Sequence, residues 1–396
     1  MRVGYLLGDF PVVSERFLLR ELAELDRRGV PLSVYALRRC KGGPIPPEAE
    51  AFVERVRYIP PLVSWRAARA AARRALHLRS YLGTKATMAG LAVRSRSLAP
   101  RAIPNLAAAE YIADDMARAG VTHVHAAFAS QPALIGLLVA RSLGLPFSFA
   151  GHARDIFVRA QVLPEKIAAA RFVNVCTEHA ASHLRALCPE HADNIHTIYH
   201  GLDPEALPSA ERRPTDPPTI LAVGRLVPKK GFEYLIRACH RLAQAGVGFR
   251  CVIAGGGPLR LALETSARKL GLTQLTITGA LPPDSVEALY GRASVFVCPS
   301  VMAPDGDRDG LPNVVLEAMA WRLPVVGTDV GGIPEAVAHE RTGLIVPPNN
   351  ATALSEAIER VLTDRSLAER LGDAGRRLVV ERFSIRSNIE PLLRLF

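Results

Sequence analysis

The sequence predicts an α/β protein built from two domains with parallel sheets. Three observations lead to this prediction. Strand-length apolar runs alternate with helix-length amphipathic segments along most of the 396 residues. The alternation is interrupted by a Pro-rich, charged stretch at 203–218, which is typical of a linker. Nearly half of the residues are apolar, which is enough for two large cores.

The first domain is predicted to span residues 1–202. A strand at 2–7 is followed by an amphipathic helix with Ser14 as candidate N-cap, and then by a strand at 31–37. This βαβ order favours a parallel sheet. After residue 105 the alternation resumes, with helices at 105–119, 130–143 and 178–187 and strands at 121–128, 146–150, 172–177 and 195–200.

Residues 62–101 form a basic helical insertion in this domain. The chain has a net charge of +11, and a basic amphipathic segment favours contact with an anionic partner such as a membrane surface, a phosphorylated substrate or nucleic acid. One hypothesis is that the segment docks on the inner leaflet of the membrane. The alternative is a helical excursion packed on the sheet with solvated arginines. The basic residues are Arg66, Arg69, Arg73, Arg74, Arg79, Lys85, Arg94, Arg96 and Arg101.

The second domain is predicted to span 219–375, and a C-terminal helix at 376–396 is expected to pack back on the first domain. Ligands of parallel sheets bind at the carboxyl ends of the strands, so the loops that follow the strands are the candidate site. The predicted strands are 219–224, 249–254, 275–279, 295–298, 324–327 and 343–346, and the predicted helices are 231–245, 258–270, 283–292, 312–321 and 350–363.

Cysteine usage and hydropathy favour a cytoplasmic protein. The six cysteines are scattered without a CxxC pair, which is typical of reduced thiols in the cytosol. The apolar run at the N-terminus has the length of a strand, so a signal peptide is not expected. No apolar run approaches the roughly 18–20 residues that a membrane-spanning helix needs. Because of the basic insertion, a peripheral position on the inner membrane is expected as a further possibility for this cytoplasmic protein.

The strongest site signal is the stretch 305–321, DGDRDGLPNVVLEAMAW. Its first half is an acidic loop and its second half has helical spacing. The N–H groups of Gly310 and Leu311 would lie at the N-terminus of that helix, which predicts a site for a phosphate or diphosphate. Asp309 and Glu317 would bracket this site, an arrangement that fits a nucleoside diphosphate sugar. The alternative is an ordinary surface loop before a buried helix.

Two further loops of the second domain contain residues suited to phosphate. The first strand runs into Gly224 and Arg225, and Lys230 comes just before the next helix. An arginine offers a forked donor and a lysine a point charge. Gly256 lies in a glycine run after the next strand, where the missing side chains let a ligand or another backbone segment approach closely.

In the first domain the candidates also follow strands. Gly8 and Phe10 are predicted in the turn after the first strand. His125 and His152 come at or near the carboxyl ends of two strands, where they would line a pocket and share hydrogen bonds or protons with sugar hydroxyls. His123 is expected in the core. The helical His spacing typical of zinc sites does not occur, so no metal site is predicted.

Together these segments resemble the GT-B glycosyltransferases, specifically retaining glycosyltransferase family 4. The motifs in the second half are VGRLVPKKGFEYLI, IAGGGPLR, LYGRASVFVCPS, DGLPNVVLEAMAWRLPVV, GGIPEAV and TGLIVPP. In the first half, FPVVSERFLLREL, HVHAAFASQPA and PFSFAGHARDIF are similar to the branch that builds bacterial exopolysaccharides such as colanic acid. The resemblance covers nearly the whole chain and implies two Rossmann-like domains whose parallel sheets face an interdomain cleft.

The resemblance implies metal-independent, retaining transfer of a sugar from a nucleoside diphosphate sugar. UDP is the expected base, and the acceptor is expected to be a glycan, a lipid-linked molecule or a small molecule. No cofactor is expected beyond the donor, which is a co-substrate.

The resemblance also implies residue roles. Glu317 would bind the ribose hydroxyls, and Asp309 would lie near the donor sugar and phosphate. Arg225 and Lys230 would hold the diphosphate and stabilise the leaving group, while His152 would contact the donor sugar at C6. The remaining expected contacts are with the donor for Gly8, Gly224, Gly256, Gly310 and Leu311, and with the acceptor or its pocket for Phe10, Ser14 and His125.

Three departures from the family pattern leave the donor sugar and the acceptor open. Asp309 is one methylene shorter than the usual Glu. Ala127 stands where this branch often has a third His. Asp9-Phe10-Pro11 replaces the usual Gly-Gly of the first loop.

Two other classes of function remain. A GT-B nucleotide-sugar epimerase or phosphorylase shares the architecture and would consume donor without an acceptor. A non-catalytic binding protein would use its basic stretch as a nucleic-acid or membrane surface. That class leaves the glycines and paired acids unexplained, and the sequence lacks an array of aromatic residues for stacking on single strands, so nucleic acid is not an expected partner.

The sequence also contains a candidate metal-binding DxD pair, Asp305-Gly306-Asp307. The resemblance instead implies that Arg225, Lys230 and a helix N-terminus supply the positive charge. The two aspartates are then expected in the loop near acceptor or solvent.

Overall fold

A computed structural model describes residues 1–12, 15–40, 47–60, 65–75, 77–207 and 212–396. The chain divides into two compact units. The first contains Met1–Cys176, Ala180–Tyr199 and Asn388–Phe396, and the second contains Thr177–His179 and His200–Ser387. Each unit is built on one parallel sheet, so the predicted fold class of two parallel-sheet α/β domains is confirmed.

The first sheet has seven parallel strands in the order β3-β2-β1-β4-β5-β6-β7. Its direction of winding reverses between β1 and β4, which is the switch point where doubly wound sheets bind ligands. The strands are β1 Val3–Phe10, β2 Leu32–Arg39, β3 Arg57–Tyr58, β4 His123–Ala126, β5 Phe147–Gly151, β6 Phe172–Val175 and β7 Ile195–Thr197.

The helices of the first half connect these strands as the alternation predicts. The first of them buries Leu18, Leu22 and Leu25 with the apolar residues of β1, because these leucines recur at helical spacing on one face. The helices are α1 Arg16–Arg27, α2 Pro47–Val53, α3 Trp65–Ala75, α4 Leu78–Arg94, α5 Ala102–Arg118, α6 Gln131–Leu143, α7 Ala153–Phe157, α8 Leu163–Ala169 and α9 Glu178–Leu187.

The second sheet has six parallel strands in the order β10-β9-β8-β11-β12-β13, with its switch point between β8 and β11. Its strands are β8 Thr219–Val223, β9 Arg250–Ala254, β10 Leu275–Gly279, β11 Val295–Cys298, β12 Val325–Thr328 and β13 Leu344–Val346. The remaining helices are α10 Phe232–Gln244, α11 Arg260–Lys269, α12 Pro283–Arg292, α13 Asn313–Ala320, α14 Ile333–Ala336, α15 Ala351–Thr363, α16 Arg365–Arg382 and α17 Ile385–Leu395.

The turn predicted after the first strand is wrong. Gly8 and Phe10 lie inside β1, because β2 offers pairing partners as far as Arg39, the partner of Phe10. Phe10 is 2% exposed and packs in the core, so it does not line a pocket. Ser14 lies outside the described residues.

Two segments at domain borders have defined partners. Within the predicted linker, the backbone N–H groups of Arg213 and Thr215 donate to carbonyls at the end of α12, and both belong to the second unit. Residues 388–396 at the end of the chain belong to the first unit, where Leu392 and Phe396 are buried. Among the described helices, none combines the length and the hydropathy that crossing a bilayer requires.

Candidate functional site

The candidate site of the second unit lies in the loops that follow β8 and β11, on either side of the switch point. The backbone N–H of Val301 donates to the carbonyl of Lys229 over 2.8 Å and so joins the two loops. Gly231 has φ +62°, and a Cβ there would lie 1.9 Å from the Pro299 carbonyl oxygen. Only glycine permits this close approach. The lysine-bearing loop is therefore locked against the loop that leads to Asp309.

The glycine run after β9 serves the approach of one backbone segment to another. A Cβ on Gly255 would lie 1.8 Å from the carbonyl oxygen of Gly224. The carbonyl of Gly256 accepts the backbone N–H of Leu226 over 2.9 Å. The glycine run thus holds the loop after β8 in place, as expected for the close approach of another backbone segment. The role of Gly256 in donor binding stays a prediction.

A buried ionic cluster lies at the centre of these loops. The Lys230 ammonium donates to Asp309 Oδ2 over 2.8 Å, and the Ser300 hydroxyl donates to the same oxygen over 2.7 Å. The Lys229 ammonium lies 3.1 Å from Asp307 Oδ1 and 3.6 Å from Asp309 Oδ1. The structure therefore brings together two predicted site residues, Lys230 and Asp309.

Sequence reasoning missed three members of this cluster. Ser300 follows β11 directly, and its position after a strand could have marked it. Lys229 adjoins Lys230, but the sequence does not show that both lysines point inward. Asp307 is buried against Lys229, so its expected position in solvent is wrong, while a position near the acceptor stays a prediction. The reason is that a buried ammonium needs a counter-ion.

Asp309 and Lys230 are both charged at neutral pH. Burial opposes the charge on Asp309, but the ammonium groups of Lys230 and Lys229 outweigh burial and lower the pKa of this carboxyl. Burial likewise opposes the charge on Lys230, but chiefly the Asp309 carboxylate outweighs it, and the pKa of Lys230 is raised. The exposed Arg225 lies close enough to act electrostatically on Lys230 and adds a further positive charge.

The predicted helix starts at Asn313, with Pro312 as its N-cap in an extended conformation. Gly310 and Leu311 directly precede the helix, so the predicted N–H donors lie at its N-terminus. Glu317 lies one turn further along and is half-buried. The Tyr290 hydroxyl donates to Glu317 Oε2 over 3.3 Å, so α12 helps to hold this carboxylate.

In the first unit, His152 follows β5 at the carboxyl edge of the sheet. Its ring contacts the rings of Phe17 and Phe128, with centroid distances of 5.0 and 4.9 Å. Burial lowers the pKa of His152 to about 4, so the imidazole is neutral at pH 7. A neutral imidazole in this position can accept or donate a hydrogen bond.

His125 does not line a pocket, contrary to the prediction. It is 0% exposed in the central strand β4, and its Nδ1 is 2.8 Å from Ser148 Oγ. Its ring packs against Tyr5 at 5.1 Å. His123, two residues earlier on the same face, lies 2.7 Å from the same hydroxyl and is buried as expected. Burial lowers the pKa of both histidines.

Comparison with known proteins finds matches to part of the chain. Residues 203–378 match the family described as Glycosyl transferases group 1. The amylovoran biosynthesis glycosyltransferase AmsK of Erwinia amylovora is 35% identical over 176 residues, which cover 44% of this chain and 43% of AmsK. The GDP-mannose-dependent alpha-(1-6)-phosphatidylinositol monomannoside mannosyltransferase of Mycobacterium tuberculosis is 37% identical over 164 residues, or 41% and 43% of the two chains. The matches thus span less than half the length of these relatives.

The fold has relatives among solved structures. Anabaena HepE, in a crystal structure with UDP and glucose, superimposes with a TM-score of 0.70 over 100% of this chain and 98% of HepE, at 16% identity. At this identity the likeness shows a shared fold, the GT-B arrangement of two parallel-sheet α/β domains.

Proposed function

We propose that the protein is a glycosyltransferase that moves a sugar from a nucleoside diphosphate sugar to a hydroxyl group of an acceptor. One observation carries this proposal: the buried cluster of Lys230, Asp309 and Ser300 lies at the switch point of a doubly wound sheet, beside the N-terminus of α13. The match of residues 203–378 to group 1 glycosyl transferases supports it.

The cluster is suited to the departure of a nucleoside diphosphate. As the bond between the sugar and the diphosphate breaks, negative charge grows on the leaving oxygen, and preformed positive groups stabilise that charge. Lys230 keeps its proton at neutral pH because its pKa is raised. Arg225 and the amides that precede α13 supply further positive potential. Before the donor binds, Asp309 holds the Lys230 ammonium in place.

We propose that transfer needs no metal ion. The DxD carboxylate of Asp307 already neutralises Lys229, and the Asp305 carboxylate accepts the backbone N–H of Asp307 over 3.1 Å. A carboxylate that balances a buried ammonium is a weak ligand for a second cation. Activity in excess EDTA is therefore expected.

We propose retention of anomeric configuration and UDP as the donor base. Asp309 is engaged by Lys230 and Ser300, so it is held away from the role of a covalent nucleophile, which favours front-face transfer. HepE, which shares the fold, is described with UDP and glucose. The mycobacterial relative is described as GDP-mannose-dependent, which makes GDP the competing base.

A donor screen tests this function. Purified full-length protein is mixed with UDP-, GDP- and dTDP-sugars in EDTA, melting is followed with each nucleotide, and proton NMR identifies the anomeric product with simple sugar acceptors. At least one nucleotide is expected to raise the Tm, and the product is expected to keep the donor's configuration. Binding of none of them would favour a non-catalytic protein. Donor consumption without acceptor would favour an epimerase, and activity restored only by Mn²⁺ would contradict metal independence.

The acceptor is proposed to be a glycan or a lipid-linked molecule, reached at the cytoplasmic face of an anionic membrane. The relatives are described as an amylovoran biosynthesis enzyme and a phosphatidylinositol monomannoside mannosyltransferase. No Asp or Glu occurs between Glu54 and Glu110, so the basic insertion repels cations and attracts anionic lipid.

The surface that would meet the membrane is the outward face of α4. Leu82 is 52% and Val93 82% exposed, and Ala86 and Ala89 are exposed between them. At about 100° per residue these four side chains fall within an arc of roughly 60°. The basic residues Arg79 and Lys85 flank the arc on its two sides. An apolar stripe between basic flanks is typical of helices that lie in a membrane interface.

Two arginines of the insertion fit the alternative interpretation, in which the insertion packs on the domain. Arg73 pairs with Asp114 at 3.0 Å, and Arg74 is buried beside Ser142 and Glu110. These two arginines pack on the domain and are not available to lipid.

Vesicle sedimentation tests the membrane surface. The protein is expected to bind phosphatidylglycerol-containing vesicles but not pure phosphatidylcholine, and to dissociate in high salt. Replacing Leu82 and Val93 by Ser, or Arg79 and Lys85 by Glu, should abolish binding. The control is Leu261→Ser, which removes a leucine that is 71% exposed on α11. Equal binding by all variants would contradict the proposed surface.

A further inference from the structure

Two buried ionisable side chains lie beside the His152 turn, and the chemistry above does not use them. Asp155 is 6% exposed on α7, and Lys166 is 1% exposed on α8. Burying an ammonium or a carboxylate costs several kcal/mol unless hydrogen bonds and an opposite charge compensate for it. The contacts of these two residues therefore indicate what they hold in place.

Asp155 lies where two loops meet. Its Oδ1 accepts the backbone N–H of His152 over 2.6 Å. Burial raises the pKa of this carboxyl to about 7, while the nearby backbone N–H groups of His152 and Ala129 act to lower it. His152 follows β5 and Ala129 follows β4, and these strands are neighbours in the sheet. One carboxyl group thus lies where the two loops that leave adjacent strands at the same edge come together.

Lys166 holds the same segment from the other side of the peptide. Its ammonium donates a hydrogen bond to the carbonyl of Ala129 and lies within the electrostatic reach of Asp155. The loop after β4 is therefore held at the carbonyl of Ala129 by a buried lysine.

The segment carries a ring that touches the imidazole. Phe128 precedes Ala129, and its ring centroid is 4.9 Å from that of His152, with Phe17 on α1 at 5.0 Å. Phe17, Phe128 and His152 follow β1, β4 and β5, which surround the switch point of the first sheet. A shift of the loop after β4 would move Phe128, which contacts the imidazole of His152.

We propose that Asp155 and Lys166 are positioning residues that fix the His152 imidazole against Phe17 and Phe128 for sugar transfer. The proposal rests on the proposed function for the participation of His152. Replacement of Asp155 by Asn keeps the shape but removes the acid that acts electrostatically on Lys166, and one carboxyl oxygen becomes an amide N–H₂ group close to the backbone N–H groups of His152 and Ala129. The contacts that hold the two loops are then weaker.

The test combines turnover with a signal from His152 itself. Asp155→Asn and Lys166→Met are compared with Asp114→Asn, a control that removes an equally buried carboxylate of the same unit paired with Arg73. Turnover is measured with the donor found by the screen. The imidazole of His152 is followed by NMR of histidine-labelled protein over pH 4–8, with a His152→Asn sample to assign its signal.

Both positioning variants are expected to lower kcat by roughly 10–100-fold with donor KM within about twofold, since small misplacements of a reacting group are costly. Burial alone lowers the pKa of His152 to about 4, so loosening should move this pKa towards its ordinary value of about 6.5. Asp114→Asn should change neither quantity. His152 signals and kcat identical to those of the control would overturn the proposal, as would unfolding of both variants, which would make the pair part of the general scaffold.

Failure of the proposed function gives a different result. If no donor is turned over but the pKa of His152 rises in both positioning variants and not in the control, the positioning of His152 stands and the assignment to sugar transfer fails.

Discussion

The two sheets share a strand order but place their polar side chains differently. In the second unit, Lys230, Ser300 and Asp309 lie in loops beyond the strand ends, where they meet at one edge. In the first unit, His123 and His125 lie within β4 and are sealed in the core around Ser148. Charged groups in the loops can exchange partners with a ligand, whereas those in the strand cannot.

The difference follows from the nature of a parallel sheet. Its central strands are covered on both faces, so even a histidine near a strand end is buried when the strand continues past it. A residue after the last pairing position is free of this constraint. In this protein, a shift of one or two residues relative to the end of a strand therefore decides whether a residue lies in the site or in the core.

The largest expected effect is that of Lys230→Met. Removing the ammonium next to the leaving diphosphate should lower kcat about 10²–10³-fold, the usual cost of losing one preorganised charge-stabilising group. The KM for acceptor should change little, because the lost interaction belongs to the transition state. Steady-state kinetics with the screened donor measure both quantities. Lys269→Met, on the exposed face of α11, is the control. Equal kcat in the two variants would contradict the role of Lys230 in stabilising the leaving group.

The next effect is on stability. Asp309→Asn should lower the free energy of unfolding by about 3 kcal/mol, because it leaves Lys230 and Lys229 with a buried charge that is less well compensated. The pKa of Asp309 is lowered in the folded protein, so its stabilisation is present above the unfolded pKa of about 3.8 and is lost only as pH falls below that value. The loss should be the same at pH 7.5 and pH 5.

Urea unfolding at the two pH values measures this loss. Asp305→Asn is the matched control, since Asp305 is exposed in the same loop. A stability equal to that of the control would mean that the ionic cluster does not hold the loops together.

The smallest expected effect belongs to the strand histidine. His125→Phe should cost about 1 kcal/mol at pH 7.5 through the lost hydrogen bond to Ser148. Burial lowers the pKa of His125, so the stability of the natural protein that depends on neutral His125 is lost as pH falls below about 6.5. Phenylalanine does not titrate, and the cost should shrink or reverse at pH 5.

Urea unfolding at pH 7.5 and pH 5 also measures the stability of His125→Phe. A cost for His125→Phe that stays constant between pH 7.5 and 5 would contradict the assignment of His125 to the sealed core.

The strands, helices and candidate site of the second unit were largely predictable from the sequence. Glycines bracket Lys230, and Asp309 stands directly before a helix with a proline at its start, so local signals coincide with the tertiary position. The pairing of Lys229 with Asp307 was not predictable, because it joins residues 78 positions apart across two loops. Sequence spacing does not show that both of the adjacent lysines turn inward.

In the first unit the failures have one cause. The end of β1 is set by how far β2 extends beside it. The sequence of β1 alone does not show this extent, so Phe10 is predicted in a turn. Asp155 and Lys166 are separated along the chain by a turn and part of α8. Only the fold shows that both lie beside the loop that contains Ala129.

Calorimetric titration of the full chain with UDP and with GDP in excess EDTA tests the central claim most directly. If the amide end of α13 and the lysine loop hold a nucleoside diphosphate without metal, one of the two nucleotides binds, and Lys230→Met weakens that binding at least about tenfold, which corresponds to roughly 1.4 kcal/mol. Absence of binding by both nucleotides, or equal affinity in the natural protein and the Lys230→Met variant, would contradict the claim.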